Sequence, residues 1–317
     1  MDGMILPDAS WRHRPGLDRL VAALGRDAAR YVGGAVRDTL LDLPVTDVDI
    51  ATSHAPERVV ELLKAAGIKA IPTGIAHGTI TAVSSGTVIE VTTLRRDVST
   101  DGRRATVAFT DDWREDAARR DFTLNALYAD PQTGQLFDYF GGLADLKARH
   151  IRFIGDPLQR IAEDHLRILR FFRFLARFGD TPDPAALTAC TARANDLMAL
   201  SRERVRDELL KLLVADDAVR VLRLMVEHGI LRPVVPEIDL AGVERLARLT
   251  RLEAEAALAP AAIRRLAALL LNDPAVNEAV GARLKLSNAE RQALARAIHA
   301  DLAAGPHELA YRIGPDR

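Results

Sequence analysis

The sequence predicts an α+β protein in which a small mixed sheet with helices is followed by an all-helical region. Two patterns predict this division. Residues 80–94 hold two β-rich runs separated by Ser84-Ser85-Gly86, as in a hairpin. From residue 213 onward the chain is rich in Ala and Leu at helical spacing, with repeated Pro and Gly breaks. The expected domains are a head over 1–150, a helical neck over 151–215 and a helical body over 216–317.

The composition is that of a globular chain. The 317 residues are 48% hydrophobic and 27% charged, with a net charge of −1, so any nucleic-acid site must be a local basic patch. A single Cys190 excludes an internal disulfide and a cysteine-based zinc site. The N-terminus lacks a signal-peptide pattern, and no apolar run reaches the roughly 18 residues of a membrane span. We therefore expect a cytoplasmic protein.

A glycine turn is the first candidate site. A helix is predicted over residues 17–29, and Gly33-Gly34 then precedes an apolar helix that begins at Ala35. A glycine pair lets a ligand approach the main chain, and the free N–H groups of the helix point back at the turn. Such a turn suits a phosphate, and Arg37, one turn into the helix, adds a charged donor.

Two aspartates follow in a strand predicted over residues 45–50. Side chains alternate in a strand, so Asp47 and Asp49 share one face while Val48 and Ile50 share the other. Two carboxylates on one face are costly unless a cation neutralises them, and oxygen ligands suit Mg²⁺ shared with substrate phosphates. A solvated edge strand is the alternative, but the neighbouring glycine turn favours a metal and nucleotide site.

The stretch GGAVRDTLL…DVDIAT resembles the head-domain signature of class II tRNA nucleotidyltransferases and bacterial poly(A) polymerases, within the polymerase-β-like nucleotidyltransferase superfamily. The resemblance extends to about residue 213 and includes RRDFTLNA at 119–126 and EDHLRILR at 163–170. It implies a nucleotidyltransferase head with a helical neck and body. It also implies transfer of C and A from CTP and ATP to an RNA 3′-hydroxyl, with Mg²⁺ held by Asp47 and Asp49. The implied partner is the acceptor arm of tRNA, recognised by shape and backbone contacts, with no membrane or protein partner.

The rest of the head is predicted from local patterns. A helix is expected over 56–67, and a lone acid, Glu90, lies in the second strand of the hairpin. Glu90 is either an ordinary strand residue or a third catalytic carboxylate, and related enzymes often carry an acid in the corresponding strand. Residues 95–110 are predicted to form a mobile loop that returns to a strand at 105–109. The resemblance implies that such a loop is needed for adding the final A.

The RRDFTLNA motif lies in a helix predicted over residues 112–127. A guanidinium offers a forked donor for phosphate, and Asp121 and Asn125 would share one helix face. By resemblance, Arg120 contacts the nucleotide.

A long amphipathic helix is predicted from Asp156 to Phe178. Its polar face carries acids first and arginines after them, an arrangement that in a generic sequence forms ion pairs on a solvated helix. The match to the EDxxRxxR motif of the family favours a functional face.

By resemblance, Asp164 and Arg167 pair with the Watson–Crick edge of the incoming base. A carboxylate only accepts hydrogen bonds and a guanidinium only donates them, so this pair can accept C and A and reject G and U. Arg170 and Arg173 would approach the triphosphate or brace the pair. The charged helix at 201–209 resembles the motif that holds this helix in position.

Two alternatives compete with CCA addition. A poly(A) polymerase would carry a basic GRRFR-type signature where this chain reads PTGIAHGT at 72–79, and its absence favours CCA addition. A non-catalytic RNA-binding module could lose the metal ligands, whereas Asp47, Asp49 and Arg167 are intact. An appended His-Asp phosphohydrolase domain is not expected because the histidines of the C-terminal part are dispersed, at His228, His299 and His307.

Overall fold

The computed structural model describes residues 4–100, 105–270 and 273–297. The chain forms two compact units, a head unit (Met1–Asp156) and a helical unit (Pro157–Arg317). The α+β class predicted from the sequence is confirmed. The further division of the helical part into neck and body stays a prediction. No helix in the described ranges is both long and apolar enough to cross a membrane.

Nine strands lie in the described part of the head unit. Their bounds are β1 (Ala29–Val32), β2 (Asp49–Thr52), β3 (Lys69–Gly74), β4 (Thr79–Ser84), β5 (Thr87–Thr93), β6 (Arg95–Thr100), β7 (Ala105–Phe109), β8 (Leu127–Ala129) and β9 (Leu136–Asp138).

A seven-stranded mixed sheet organises this unit, in the order β3-β4-β5-β2-β1-β8-β9. The predicted hairpin is the β4–β5 pair. β2 pairs in parallel with β5, while β2 pairs antiparallel with β1. A parallel pair needs a crossover, and the chain between β2 and β5 supplies it. The register of the parallel pair places Asp49 opposite Glu90.

Among the residues described for this unit, five α-helices accompany the sheet. The first packs against the third, and its Leu17, Leu20 and Leu24 side chains are buried. The sequence predicted this first helix to reach Ala29, but it ends at Leu24 because Gly25 adopts a positive φ of 91° and Ala29 already belongs to β1. The helices are α1 (Leu17–Leu24), α2 (Gly34–Leu40), α3 (Pro56–Ala65), α4 (Trp113–Ala118) and α5 (Gly142–Lys147).

Two further expectations for the head unit are corrected. The helix predicted over 112–127 ends at Ala118, because Phe122 is extended and buried against Phe153 with ring centroids 4.9 Å apart. The predicted mobile loop at 95–110 instead contributes β6, which pairs antiparallel with β7; the strand at 105–109 is as predicted. Residues 101–104 of that loop lie outside the described residues.

The helix predicted from Asp156 to Phe178 is two helices with a break at 164–166. The break follows from local competition for the backbone. The Asp164 side chain accepts from the Leu166 N–H at 3.1 Å, and its carbonyl accepts from the Arg167 N–H at 3.0 Å. Aspartate favours such turns at helix starts over a helix interior.

The described part of the helical unit contains helices without strands. The helix Arg167–Phe178 packs against the helices Arg202–Leu213 and Ala218–Glu227, and most of its Phe and Leu side chains are buried. The helices are α6 (Pro157–Glu163), α7 (Arg167–Phe178), α8 (Pro184–Ala192), α9 (Arg202–Leu213), α10 (Ala218–Glu227), α11 (Leu240–Glu255), α12 (Ala262–Leu269), α13 (Pro274–Arg283) and α14 (Asn288–Ala297).

Candidate functional site

Three carboxylates form what we call the acidic edge: Asp47, Asp49 and Glu90. Asp49 begins β2 opposite Glu90 of β5. Asp47 precedes β2, so the strand predicted from residue 45 is shorter than expected. The predicted alternation nevertheless holds, because Asp47 and Asp49 are exposed while Val48 and Ile50 are buried. Within the described ranges, none of the three acids has a basic side chain within ion-pairing distance.

The charges of the acidic edge act on one another. Loss of water around its carboxylate raises the pKa of Asp49, Glu90 and Asp47 raise it further, and Arg120 opposes them. The described residues include no group of three or more Asp, Glu, His or Cys side chains placed to hold one metal ion. A hard cation held by the pair Asp47 and Asp49, with further oxygens from a ligand, therefore stays a prediction. Glu90 as a third catalytic carboxylate stays a prediction.

The glycine turn lies between β1 and α2. Gly33 has φ +69° and ψ −120°, a conformation that side chains with a Cβ avoid. A Cβ at Gly33 would lie 3.6 Å from Nη1 of Arg120 and from the carbonyl oxygen of Asn125. At Gly34 the nearest atom to such a Cβ would be Nη2 of Arg37, at 3.8 Å. Gly33 is buried, and its N–H donates to the Leu127 carbonyl at 3.1 Å. Because α2 also has only seven residues, the neighbouring Arg120 carries more weight here than the main chain of Gly33 or the helix dipole.

Arg120 is held by a buried acid that sequence reasoning missed. Oδ2 of Asp116 accepts from Nη2 of Arg120 at 3.0 Å and from the Tyr128 hydroxyl at 2.6 Å. Nε of Arg119 donates to Oδ1 at 2.8 Å. Asp116 lies four residues before Arg120, so helical spacing could have identified this pair.

The buried network fixes its own charges. Burial alone would raise the pKa of Asp116, but Arg120 and Arg119 outweigh burial and hold it below its usual range. Burial would lower the pKa of Arg120, and contact with Tyr128 and Asp116 reverses that effect. Arg120 is therefore a permanent cation beside the glycine turn, suited to a phosphate.

Arg37 is buried and is hydrogen-bonded to other side chains of the head unit. Its side chain is 8% exposed, and its Nη1 donates to Oδ1 of Asn125 at 2.6 Å while its Nε donates to Asp38 at 2.8 Å. Asn125 in turn donates to Asp121 at 2.9 Å, although the two do not share a helix. Arg37 thus braces the glycine turn against the RRDFTLNA motif, and its direct contact with a nucleotide stays a prediction.

The helical unit contains the second predicted constellation. Asp164, in the break between α6 and α7, accepts from Nη2 of Arg204 through both carboxylate oxygens, at 3.0 and 2.8 Å. Arg167 donates through Nη1 to Glu163 at 2.6 Å and to the Arg160 carbonyl at 3.0 Å.

The arginines further along α7 are held from α9. Nε of Arg173 donates to Glu208, and Nη1 of Arg170 lies 4.0 Å from the same carboxylate. Arg204 and Glu208, one turn apart on α9, thus hold Asp164 and the α7 arginines, as the sequence predicted for the helix at 201–209. The predicted contacts of Asp164, Arg167, Arg170 and Arg173 with a nucleotide stay predictions.

Two families of known sequences match parts of the chain. The sequence model of the poly A polymerase head domain matches residues 29–152. The one described as the probable RNA and SrmB-binding site of polymerase A matches residues 181–241. The first of these spans contains the acidic edge, the glycine turn and Arg120.

Curated relatives match about two thirds of the chain. The mitochondrial CCA tRNA nucleotidyltransferase 1 of Mus musculus is 46% identical over 215 residues, which are 67% of this chain and 48% of that protein. The CCA-adding enzyme of Levilactobacillus brevis is 44% identical over 210 residues, 66% of this chain and 51% of that protein. The chain thus spans about half the length of the curated relatives that it matches.

A solved structure matches over a larger share. The CCA-adding enzyme of Bacillus stearothermophilus in complex with CTP is 31% identical, with a TM-score of 0.64. The match covers 93% of this chain and 79% of that one, so the shared fold extends through both compact units.

Proposed function

The chain belongs to the class II family of CCA-adding enzymes and poly(A) polymerases, and we propose that it is a tRNA nucleotidyltransferase that adds C, C and A to the tRNA 3′ end. The observation that carries the proposal is the acidic edge beside the glycine turn. Asp49 and Glu90 face each other in the sheet, Asp47 precedes them, and Arg120 approaches the turn from the buried network. Relatives named for CCA addition favour this reaction within the family.

Members of this family use divalent metal ions, and we propose Mg²⁺, held by Asp47 and Asp49. Oxygen-only donors with unmatched negative charge suit a hard cation that is shared with triphosphate oxygens. When bound, the ion would make the RNA 3′-hydroxyl a better nucleophile and neutralise the leaving pyrophosphate.

The residues of the head unit would bind and orient the triphosphate. Gly33 has no Cβ between the turn and Arg120, and Arg120 would place a fixed positive charge there for the triphosphate. In the transfer, the 3′-oxygen of the RNA forms a bond to the α-phosphorus as the bond from that phosphorus to the bridging oxygen breaks and pyrophosphate leaves. The protein contributes mainly by positioning and by stabilising charge.

The choice of base would depend on Asp164 and Arg167. A carboxylate has about four acceptor positions, and Asp164 uses three of them for Arg204 and the Leu166 N–H. The remaining position, on Oδ2, can accept from an amino group. Cytosine and adenine carry that amino donor where uracil and guanine carry a carbonyl oxygen. Arg167 would add the complementary donor, and Arg170 and Arg173 would brace the arrangement or approach the triphosphate.

Incorporation of labelled CTP and ATP tests the proposal. The substrates are tRNA transcripts that end before CCA, after C and after CC, supplied with each nucleotide alone and both together. Two C additions followed by one A and a stop are expected. Asp47→Ala should abolish incorporation while leaving tRNA binding intact.

Three other outcomes would redirect the conclusion. Long A tails would assign the chain to the poly(A) branch of the family. Addition of C alone would contradict the A-adding step. No incorporation with Mg²⁺ present, together with intact tRNA binding, would contradict catalysis and favour an RNA-binding module.

A further inference from the structure

We propose that Arg14, which lies before the span matched by the head-domain family, is a positioning residue for the acidic edge. It would act by holding the main chain directly before Asp47, and the inference rests on the proposed role of Asp47 as a metal ligand. Nη2 of Arg14 donates to the carbonyl of Val45 at 2.7 Å, and Nη1 donates to the carbonyl of Thr46 at 2.8 Å. One guanidinium thus binds two consecutive peptide groups, and Asp47 is the next residue.

The segment that carries Asp47 needs such support. Residues 43–48 belong to no helix or strand, since α2 ends at Leu40 and β2 begins only at Asp49. The sheet therefore positions Asp49 through its register but does not position Asp47. A metal site made by both aspartates depends on the distance between them, and the two Arg14 hydrogen bonds restrain the chain on the side that the sheet leaves open.

Arg14 can restrain this segment because its own main chain is attached to the sheet. The carbonyl of the next residue, Pro15, accepts from the hydroxyl of Thr87 at 2.7 Å, at the start of β5. Gly16 has φ +80° and packs so closely on β4 that a Cβ there would lie 2.4 Å from Oγ of Ser84. The segment before α1, residues 4–16, which we call the lead-in, is thereby attached to the hairpin whose second strand carries Glu90. A continuous set of contacts runs from that hairpin through Arg14 to the residue before Asp47.

The chemistry of the side chain suits this role. A guanidinium presents parallel donors in a rigid fork, whereas a lysine ammonium is a single mobile charge that cannot span two carbonyls with the same geometry. Groups that orient metal ligands through hydrogen bonds typically affect metal affinity or activity by about 10–100-fold when they are removed. We expect an effect of that size from Arg14→Ala and partial recovery in Arg14→Lys.

Arg12 provides a matched control in the same lead-in. It also donates to two main-chain carbonyls, those of Leu6 at 3.4 Å and Pro131 at 3.3 Å. Neither acceptor belongs to the segment before Asp47. Arg12→Ala therefore removes two arginine–carbonyl contacts, longer than those of Arg14, without touching the acidic edge.

The experiment compares the wild-type chain with Arg14→Ala, Arg14→Lys and Arg12→Ala. Mn²⁺ binding is measured by electron paramagnetic resonance on the nucleotide-free protein and again with CTP bound, with Asp47→Ala to identify the site. kcat and KM for CTP are measured with tRNA lacking CCA, and Tm reports on the fold. Arg14→Ala should weaken Mn²⁺ binding and lower kcat by about 10–100-fold, with KM and tRNA affinity unchanged. Arg12→Ala should leave Mn²⁺ binding and kcat at the wild-type level.

The inference is overturned if Arg14→Ala and Arg12→Ala have the same Mn²⁺ affinity and kcat. It is also overturned if Arg14→Ala lowers Tm alone, because that result describes a purely structural contact. A wild type that binds Mn²⁺ through Asp47 but incorporates nothing would refute CCA addition while the Mn²⁺ comparison still decides the role of Arg14. A wild type without Mn²⁺ binding would refute the metal site and Arg14 together.

Discussion

Two carboxylates of the head unit, Asp49 and Asp116, have opposite environments. Asp116 is buried, and the Tyr128 hydroxyl and the guanidinium groups of Arg119 and Arg120 surround it. These partners hold its pKa below the usual range. Asp49 lies at the exposed start of β2, opposite another acid, and its pKa is raised by loss of water and by Glu90. The negative charge of Asp116 is thus matched by cationic partners, whereas that of Asp49 is unmatched.

The difference separates stability from function. A matched buried carboxylate stabilises the fold in which its partners are placed, whereas an unmatched one costs folding free energy and is retained where a ligand completes it. Asp116 stabilises the fold and orients Arg120. Asp49 is the residue for which we propose a cation as the missing partner. Asp164 in the helical unit is intermediate, because Arg204 matches its charge while one acceptor position stays available.

Removing Asp116, the acid whose charge is matched, should give the largest effect, a loss of stability. Asp116→Ala leaves Arg119, Arg120 and the Tyr128 hydroxyl without their common partner. Breaking a buried ion pair in this way costs about 3–5 kcal/mol, and we expect the free energy of unfolding in urea to fall by that amount. Asp111→Ala, at an exposed acid just before α4, is the control and should stay within about 0.5 kcal/mol of wild type. A loss below about 1 kcal/mol in Asp116→Ala would contradict the matched interpretation.

Removing the unmatched acid should separate activity from stability. Asp49→Asn should lower nucleotide incorporation by about 10²–10³-fold, the scale on which one catalytic electrostatic group acts. Its free energy of unfolding should rise slightly at neutral pH, because the substitution removes the repulsion from Glu90. Asp42→Asn is the matched control, since Asp42 is exposed at φ +56°, where asparagine is well tolerated. Parallel losses of activity and stability in Asp49→Asn would refute the comparison.

The acidic edge shows which features a single sequence can predict. The alternation from Asp47 to Ile50 follows from a period of two residues and was visible locally. The position of Glu90 opposite Asp49 depends on the register of two strands separated by a long crossover. No local pattern specifies that register. The sequence could therefore nominate Glu90 but could not pair it with Asp49.

The predicted helix ends were wrong where a side chain competes for backbone hydrogen bonds or where tertiary packing determines the backbone conformation. Asp164 lies in an apparently continuous amphipathic pattern, but its carboxylate bonds to the chain two residues on and breaks the helix. The helix predicted over 112–127 does not continue beyond α4, because Phe122 is extended and packs on Phe153. The family motifs in the sequence include Arg120 and Arg167, so both could be predicted as site residues. They did not reveal Asp116 or Arg14, whose roles depend on contacts between distant segments.

The intermediate case, Asp164, should show a smaller effect and a change in selectivity. Arg204→Ala removes both guanidinium bonds and frees the carboxylate to reorient. A hydrogen bond to a charged group contributes about 1.5–3 kcal/mol, so we expect the ratio of kcat/KM for CTP to that for UTP to fall by about tenfold or more. The control is Arg206→Ala on the same helix, whose side chain contacts Asp207 and the Lys285 carbonyl. An unchanged ratio in Arg204→Ala would mean that Asp164 does not select the base.

The smallest effect is a difference in pH dependence between the two head acids. Asp116 has a lowered folded pKa, so its stabilisation is fully present above the unfolded value of about 3.9 and is lost only as pH falls through the folded value. Asp49 has a raised folded pKa, so its cost is absent below about pH 3.9, where both states are protonated, and grows as pH rises. Solvent screening at the exposed Asp49 keeps this cost small.

Urea unfolding between about pH 4 and pH 7 of the wild type, Asp116→Ala and Asp49→Asn tests this difference. The deficit of Asp116→Ala should stay constant across the range, because the folded pKa of Asp116 lies below it. The advantage of Asp49→Asn should shrink toward zero as pH falls. An advantage that does not change with pH would mean that the charge of Asp49 is already compensated in the free protein, and the acidic edge would then lose its main argument for a bound cation.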